Sequence, residues 1–241
     1  MIKLYQFPIS HFCEKIRWAL DYKGLNYKLV NLLPGFHIKT TKKLAKYSAV
    51  PVLTDEDEVI QNSSEIITYL DETYVEKPLT PSNEILRLEA IEWEKYLDTE
   101  LGPHVRICCY HILLKHPTIV IPYFTNNGPW YGPIIIKLTY EKLNAKMRSY
   151  MKINDSTFIE SKIQITEVID KIYNHLQDNE FLVGDSFSRA DLTAAAMLAP
   201  LAMPNGYGLT WPKVIPEELQ TLINKFDGKI NWVNDFYKKY R

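Results

Sequence analysis

The sequence predicts a small α/β unit followed by an all-helical one, and three observations carry that expectation. Strand and helix patterns alternate up to Val75, Pro78, Pro81 and Ser82 then break the chain, and beyond them only helical periodicity remains. At 241 residues the chain has room for two small domains. Their predicted spans are 1–78 and 86–241.

Each element has a local reason. Ile2 to Gln6 is short and apolar at alternate positions, a strand. Phe12 to Lys23 sets Phe12, Ile16, Ala19 and Leu20 at helical spacing among charged residues, and Gly24 stands where a glycine would end that helix. Asn26 to Leu32 reads as a second strand and Lys39 to Lys46 as a lysine-rich helix. Val50 to Leu53, the acidic turn Asp55 to Glu58 and Val59-Ile60 read as an antiparallel hairpin. Ile66, Ile67, Leu70 and Tyr74 space a last helix, giving the order β-α-β-α-β-β-α.

In the second unit, a long amphipathic segment starts near Leu86 and runs towards Leu114, disturbed at Gly102-Pro103. His116 to Pro133, with Pro117, Pro122, Pro129 and Asn126-Asn127, is expected to be a long connection that can act as a lid. Helices are predicted over Lys137 to Lys152, Ile159 to Leu176, Asp191 to Leu201, Glu217 to Phe226 and Asn231 to Tyr240.

Composition excludes several classes of function. The 28 Lys+Arg and 29 Asp+Glu leave a formal charge of −1, so no overall field draws the chain to nucleic acid or to an anionic membrane. Hydrophobic residues at 46% and charged ones at 24% fit a packed globular protein rather than a disordered one. The most apolar region, Ile112 to Ile136, is interrupted by Lys115, His116 and its prolines and is too broken to span a bilayer. MIKLYQF meets Pro8 and Ser10 without an apolar signal core, so the expected location is cytoplasmic. Cys13, Cys108 and Cys109 have neither disulfide nor metal-ligand spacing, and no metal is expected.

Three motifs carry chemistry. Ser10-His11-Phe12-Cys13 is a strand-to-helix turn with a hydroxyl and a thiol three residues apart. A helix N-terminus stabilises an anion, so a thiolate suits it, and the same argument lowers the pKa of Cys13. Equally, Ser10 can simply cap the helix and Cys13 pack as a small hydrophobe. Val50-Pro51 opens a strand: a cis bond would expose Val50 backbone groups to a peptide-like ligand, whereas a trans proline would only start the strand. Gln61-Asn62-Ser63-Ser64 precedes a helix, whose start can either be capped by these residues or hold a carboxylate.

A fourth motif concerns folding. In Phe181-Leu182-Val183-Gly184-Asp185-Ser186-Phe187-Ser188-Arg189-Ala190-Asp191-Leu192, Ser188 can cap a helix while Asp191 reaches back to the Ser188 amide. Phe187 and Leu192 are placed for a hydrophobic staple.

In this order the motifs resemble the cytosolic glutathione S-transferases over nearly the whole chain. They match the Ser-x-x-Cys turn, the Val-Pro, an Asn-Ser where the family usually has Glu-Ser or Gln-Ser, and the FLxGDxFSxAD segment. The resemblance implies an α/β thioredoxin-like domain plus an all-α C-terminal domain. It also implies glutathione as cosubstrate, a small hydrophobic electrophile as second substrate, and a homodimer.

Carried over residue by residue, the resemblance assigns the thiol to Ser10 as hydroxyl donor, with Cys13 as the alternative. Val50 and Pro51 face the cysteinyl part, and Gln61, Asn62 and Ser63 the γ-glutamyl end; Glu65 or a second subunit would replace the missing acid at Asn62. His37, Lys39 or Lys42 would neutralise the glycyl carboxylate. The electrophile site is expected between the domains, with Pro8 and Ile9 as floor, Arg106, Cys109 and Tyr110 as wall, and Phe124, Trp130 and Tyr131 on the closing loop. Three functions stay open: conjugation of glutathione in detoxification, a non-catalytic binding or scaffold protein, and thiol transfer through Cys13.

Overall fold

The computed structural model describes residues 1–241. Its first domain is a four-stranded sheet with strands β1 (Ile2–Gln6), β2 (Tyr27–Asn31), β3 (Val52–Asp55) and β4 (Glu58–Gln61), in spatial order β2-β1-β3-β4. β1 and β2 run parallel, with Leu4 opposite Leu29, and are joined by helix α1 (His11–Tyr22). β3 is antiparallel to both β1 and β4, with Leu53 opposite Leu4 and Ile60. Helices α2 (His37–Leu44) and α3 (Ser63–Thr73) complete the predicted order. Gly24, at φ +69°, follows α1 in the left-handed conformation that a C′ glycine tolerates best.

The second domain is helical: α4 (Glu84–Glu100), α5 (Gly102–Leu113), α6 (Pro117–Thr125), α7 (Gly132–Tyr150), α8 (Asp155–Asp178), α9 (Arg189–Ala202), α10 (Glu217–Asn224) and α11 (Trp232–Tyr240). The long amphipathic segment is two helices, broken at Leu101. No helix is long and apolar enough to cross a membrane. α9 is buried from Arg189 to Ala199 and is the pillar against which α1, α4, α5 and α11 pack.

One element departs from expectation. The proline-rich stretch from His116 to Pro133 is not a long connection, because it contains α6. Pro117 sits in the first helical turn, where a proline removes no helical hydrogen bond, and Val120, Tyr123 and Phe124 bury one face. Only the segment around Asn126 to Tyr131 is left as a turn, with Trp130 85% exposed.

α1 joins the two domains. Its buried Lys15 lies 2.8 Å from both Glu94 and Asp98 on α4. Glu94 also lies 2.6 Å from Arg189, whose guanidinium donates to Thr68 Oγ1 and to the Ser64 carbonyl on α3. A charge this deeply buried is tolerable only when paired and hydrogen-bonded, and here the pairing crosses the domain boundary.

Candidate functional site

The site begins at the N-terminus of α1. Ser10 is its cap: the backbone is extended, the Ser10 oxygen accepts from the Cys13 amide at 3.3 Å, and the Ser10 carbonyl accepts from the Glu14 amide at 2.9 Å. A hydroxyl has one donor and two acceptor sites, so capping leaves the O–H free to donate. The amides of His11 and Phe12 make no hydrogen bond to the chain, as expected of a helix start.

Cys13 does not meet the expectation of a lowered pKa. It is fully buried, and burial raises its thiol above the ordinary value although the Ser10 contact and Arg17 pull the other way. The helix-end field is real, but removal from water outweighs it because this face of α1 packs inward. Cys108 and Cys109 are also buried and free, and burial raises both.

A cavity of about 410 Å³ opens beside Ser10 between the two domains. The first domain contributes Ile9, Ser10, His11, Phe12, His37 and Val50; α5 contributes Val105, Arg106, Cys109 and Tyr110; α6 and the C-terminal region add Tyr123, Phe124, Trp211 and Leu219. Its size and mostly apolar wall suit a small organic ligand. Of the predicted electrophile-site residues, Ile9, Arg106, Cys109 and Tyr110 line it, and so does Phe124. Pro8, Trp130 and Tyr131 do not. Pro8 is buried behind the wall, its carbonyl accepting from Arg17 at 3.1 Å. Trp130 faces solvent because α6 ends before it.

The predicted γ-glutamyl residues lie outside this wall. Val50-Pro51 is cis, and Val50 lines the cavity. Gln61 is already occupied: its amide donates to the Tyr47 and Ala49 carbonyls at 2.8 and 2.9 Å and accepts from the Tyr47 amide at 2.9 Å. It therefore holds the segment leading into Val50. Asn62, at φ +90°, caps α3 through its side-chain oxygen, which accepts from the Ser64 amide at 3.1 Å and the Ser64 hydroxyl at 3.0 Å. Ser63 is the first residue of α3 and is buried, so the cap is Asn62 and not a hydroxyl. Glu65, Lys39 and Lys42 are exposed and off the cavity wall, while His37 lies on it with Nδ1 accepting from the Gly35 amide at 3.1 Å.

Several residues that matter here carried no local signal. His11 is buried against Arg106, and burial and that charge together push its pKa down to about 3, so the ring is neutral. Tyr207, far along the chain, donates to the Ile9 carbonyl at 2.8 Å. Beneath it, Glu14 pairs with Arg17 at 2.5 Å and with Arg241 at 3.1 Å, and Arg17 also reaches Gln6. A Cβ on Gly208 would meet the Arg17 guanidinium, so a side chain here would push Arg17 out of this network.

Two family models match the chain: "Glutathione S-transferase, N-terminal domain" over residues 4–78 and "Glutathione S-transferase, C-terminal domain" over residues 143–214. Among curated proteins, glutathione S-transferase Z2 of Arabidopsis thaliana is 36% identical over 115 residues, 46% of this chain and 52% of the relative. Glutathione S-transferase Z1 of the same plant is 45% identical over 83 residues, covering 33% of this chain and 38% of that one. The matches thus span about half the length of these relatives or less. Among solved structures, the β-etherase LigF of a Sphingobium species aligns with a TM-score of 0.65 at 19% identity, covering 97% of this chain and 98% of that one. A glutathione S-transferase of Rhodospirillum rubrum aligns at 0.61 and 18% identity over 97% and 91%. At these identities the structures speak for the fold alone.

Proposed function

Because the chain belongs to the cytosolic glutathione S-transferase superfamily, we propose that it is a glutathione transferase that joins the glutathione sulfur to small hydrophobic electrophiles. The observation that carries this reading is Ser10, a helix cap with a spare O–H on the wall of an apolar cavity between the domains.

In this reading the glutathione sulfur rests against the start of α1. The Ser10 O–H and the free amides of His11 and Phe12 favour the thiolate, and the thiol proton leaves to solvent. The sulfur then attacks an electrophilic carbon held in the cavity, expelling its leaving group or adding to an activated double bond. Holding the two reactants together is most of the work. Val50 offers backbone groups to the cysteinyl unit, Pro51 shapes that edge, and the start of α3 at Ser63 receives the γ-glutamyl carboxylate. Gln61 and Asn62 act through the backbone they hold. Thiol transfer through Cys13 is disfavoured by the burial and raised pKa of that thiol.

A homodimer suits α4, where Ile85, Leu88 and Ile91 expose 75%, 55% and 39% of their surface at three-residue spacing. Three free, buried cysteines suit a reducing compartment, here the cytoplasm, and a detoxifying role follows from the chemistry. One observation favours a second reading, a non-catalytic binding protein: the Gln61 and Asn62 side chains are spent on the chain itself.

Calorimetric titration with glutathione, followed by assays with an aryl halide and with a mixed disulfide, separates these readings. The expected result is measurable heat and conjugation of the aryl halide. Heat without either turnover supports a binding protein that holds glutathione, whereas no heat overturns the transferase and points to a scaffold.

A further inference from the structure

We propose that the electrophile taken by this cavity carries a carboxylate, and that Arg106 is its partner. The inference deepens the transferase reading and rests on it.

The wall of the cavity contains no aspartate or glutamate, yet two cationic side chains, Arg106 and Lys146, belong to it. Lys146 is on the exposed rim. Arg106 is half-buried and forms no ion pair and no hydrogen bond, and its Nε is buried with no acceptor within the chain. The fully buried basic side chains are not left in this condition. Lys15 has Glu94 at 2.8 Å, Arg17 has Glu14 at 2.5 Å, Lys23 has Asp71 at 2.7 Å, and Arg189 has Glu94 at 2.6 Å. Each fully buried cation thus has a carboxylate, whereas Arg106, on the cavity wall, has neither a carboxylate nor a hydrogen bond.

A cation with a buried, unpaired N–H is costly, and a carboxylate arriving with a ligand relieves that cost with charge-assisted hydrogen bonds. The nearest groups cannot do so. The Phe12 ring, whose centroid is 6.0 Å from the guanidinium carbon, offers only its face, and neighbouring His11 is neutral. Tyr110 is held in its phenol form by burial. Around Arg106 the wall is hydrocarbon and sulfur, with Val105, Cys109, Leu113 and Phe124, which suits the apolar body of such a ligand. Arg106 on α5 and Ser10 at the start of α1 line the same cavity, so a molecule anchored at the former shares that space with the sulfur proposed to rest at the latter.

The test compares a chlorodinitrobenzoate with its methyl ester as conjugation substrates, each rate divided by its uncatalysed rate with glutathione. It uses the full chain, Arg106→Met and the charge-keeping Arg106→Lys. The expected result is that Arg106→Met lowers the benzoate-to-ester ratio of kcat/KM by about tenfold to a hundredfold, the equivalent of one charge-assisted contact. Arg106→Lys recovers part of it. An equal loss on both substrates, or a ratio that Arg106→Met leaves unchanged, overturns the proposal. A rise in KM for glutathione as the main effect also overturns it, by giving Arg106 to the tripeptide. If neither substrate turns over and glutathione gives no heat, the transferase reading fails. The carboxylate site is then read by calorimetry with unreactive dinitrobenzoate, whose binding must weaken by the same factor in Arg106→Met.

Discussion

The Tyr207 hydroxyl donates to the Ile9 carbonyl at 2.8 Å, so a residue between α9 and α10 braces the peptide beside Ser10. Tyr207 is buried, its ring lies 4.5 Å from Trp211 centre to centre, and the Arg17 guanidinium sits 5.5 Å above it. Tyr207→Phe keeps both ring contacts and removes only the hydroxyl, leaving the Ile9 carbonyl without its donor. The expected loss is about 1–3 kcal/mol in urea unfolding, together with a higher KM for glutathione. An unchanged KM alongside lowered stability would show that the brace serves folding alone.

Ser10 and Cys13 are expected to respond in opposite ways. Ser10→Ala removes both the cap of α1 and the O–H proposed to face the sulfur, so the pKa of bound glutathione rises. Conjugation at neutral pH then falls by about tenfold to a thousandfold, in the range of a lost oxyanion donor. Cys13→Ala takes a fully buried thiol out of the packing and costs about 1 kcal/mol, with the thiolate titration unmoved. Following thiolate ultraviolet absorbance against pH in the three proteins decides the matter. A shift in the Cys13 variant alone would reverse the assignment.

These two residues also show where reading from sequence stops. The cap at Ser10 and the box at Ser188 and Asp191 are relationships across three residues, so their donors and acceptors are named by spacing alone. The spacing places Cys13 in the helix-end field, which is local, but its pKa follows burial, which depends on what packs against α1. The same holds for α6: Pro117 and Pro122 read as breakers, yet the first lies where a helix tolerates it, and the apolar face of α6 found a core to cover. Gln61 looked like a ligand residue because nothing in its neighbourhood reveals that residues 47–49 fold back onto its amide. The cavity draws on residues from Phe7 to Leu219, and only the fold brings Arg106 and Trp211 into the same wall.

Ser188 caps α9 and Asp191 reaches back to it as the spacing predicts, and Asp191 does more. Its carboxylate accepts from the Ser188 amide and hydroxyl, both at 2.9 Å, and from the Leu182 amide at 2.7 Å, which fastens the preceding turn. Asp191→Ala therefore orphans a buried amide in addition to a cap, and a loss of about 3 kcal/mol is expected, above that of a cap alone. Burial raises this carboxyl from 3.8 to about 6, against the pull of its hydrogen bonds. With the folded pKa above the unfolded one, the folded state binds the proton more tightly. The linked stabilisation is full below about 3.8 and is lost as pH rises through about 6. The stability gap between the wild type and Asp191→Ala should widen as pH falls across that window in thermal melts. A gap that narrows would mean that the three donors outweigh burial.

The last prediction concerns the joint between the domains. Glu94 stands between Lys15 of α1 at 2.8 Å and Arg189 at the start of α9 at 2.6 Å, and all three side chains are buried. Arg189 carries the link on to Thr68 and to the Ser64 carbonyl of α3. If Glu94 becomes glutamine, Lys15 retains Asp98 at 2.8 Å, but Arg189 loses its only carboxylate while still buried. Breaking one side of a buried pair in this way costs about 3–5 kcal/mol, far more than an exposed ion pair. Since the charges lost join α1 and α3 to the helical domain, the cost should fall on domain docking rather than on either core. In urea, Glu94→Gln is then expected to unfold at a lower midpoint and in a broader transition, with the backbone amides of the first domain and those of the second no longer losing hydrogen-exchange protection together. The control is Glu84→Gln, whose pairing with Arg87 at 3.7 Å is on the surface and should leave the midpoint within about 0.5 kcal/mol of the wild type. A Glu94→Gln protein as stable and as cooperative as that control would remove the network from the account of how the two domains, and with them the cavity, are held in register.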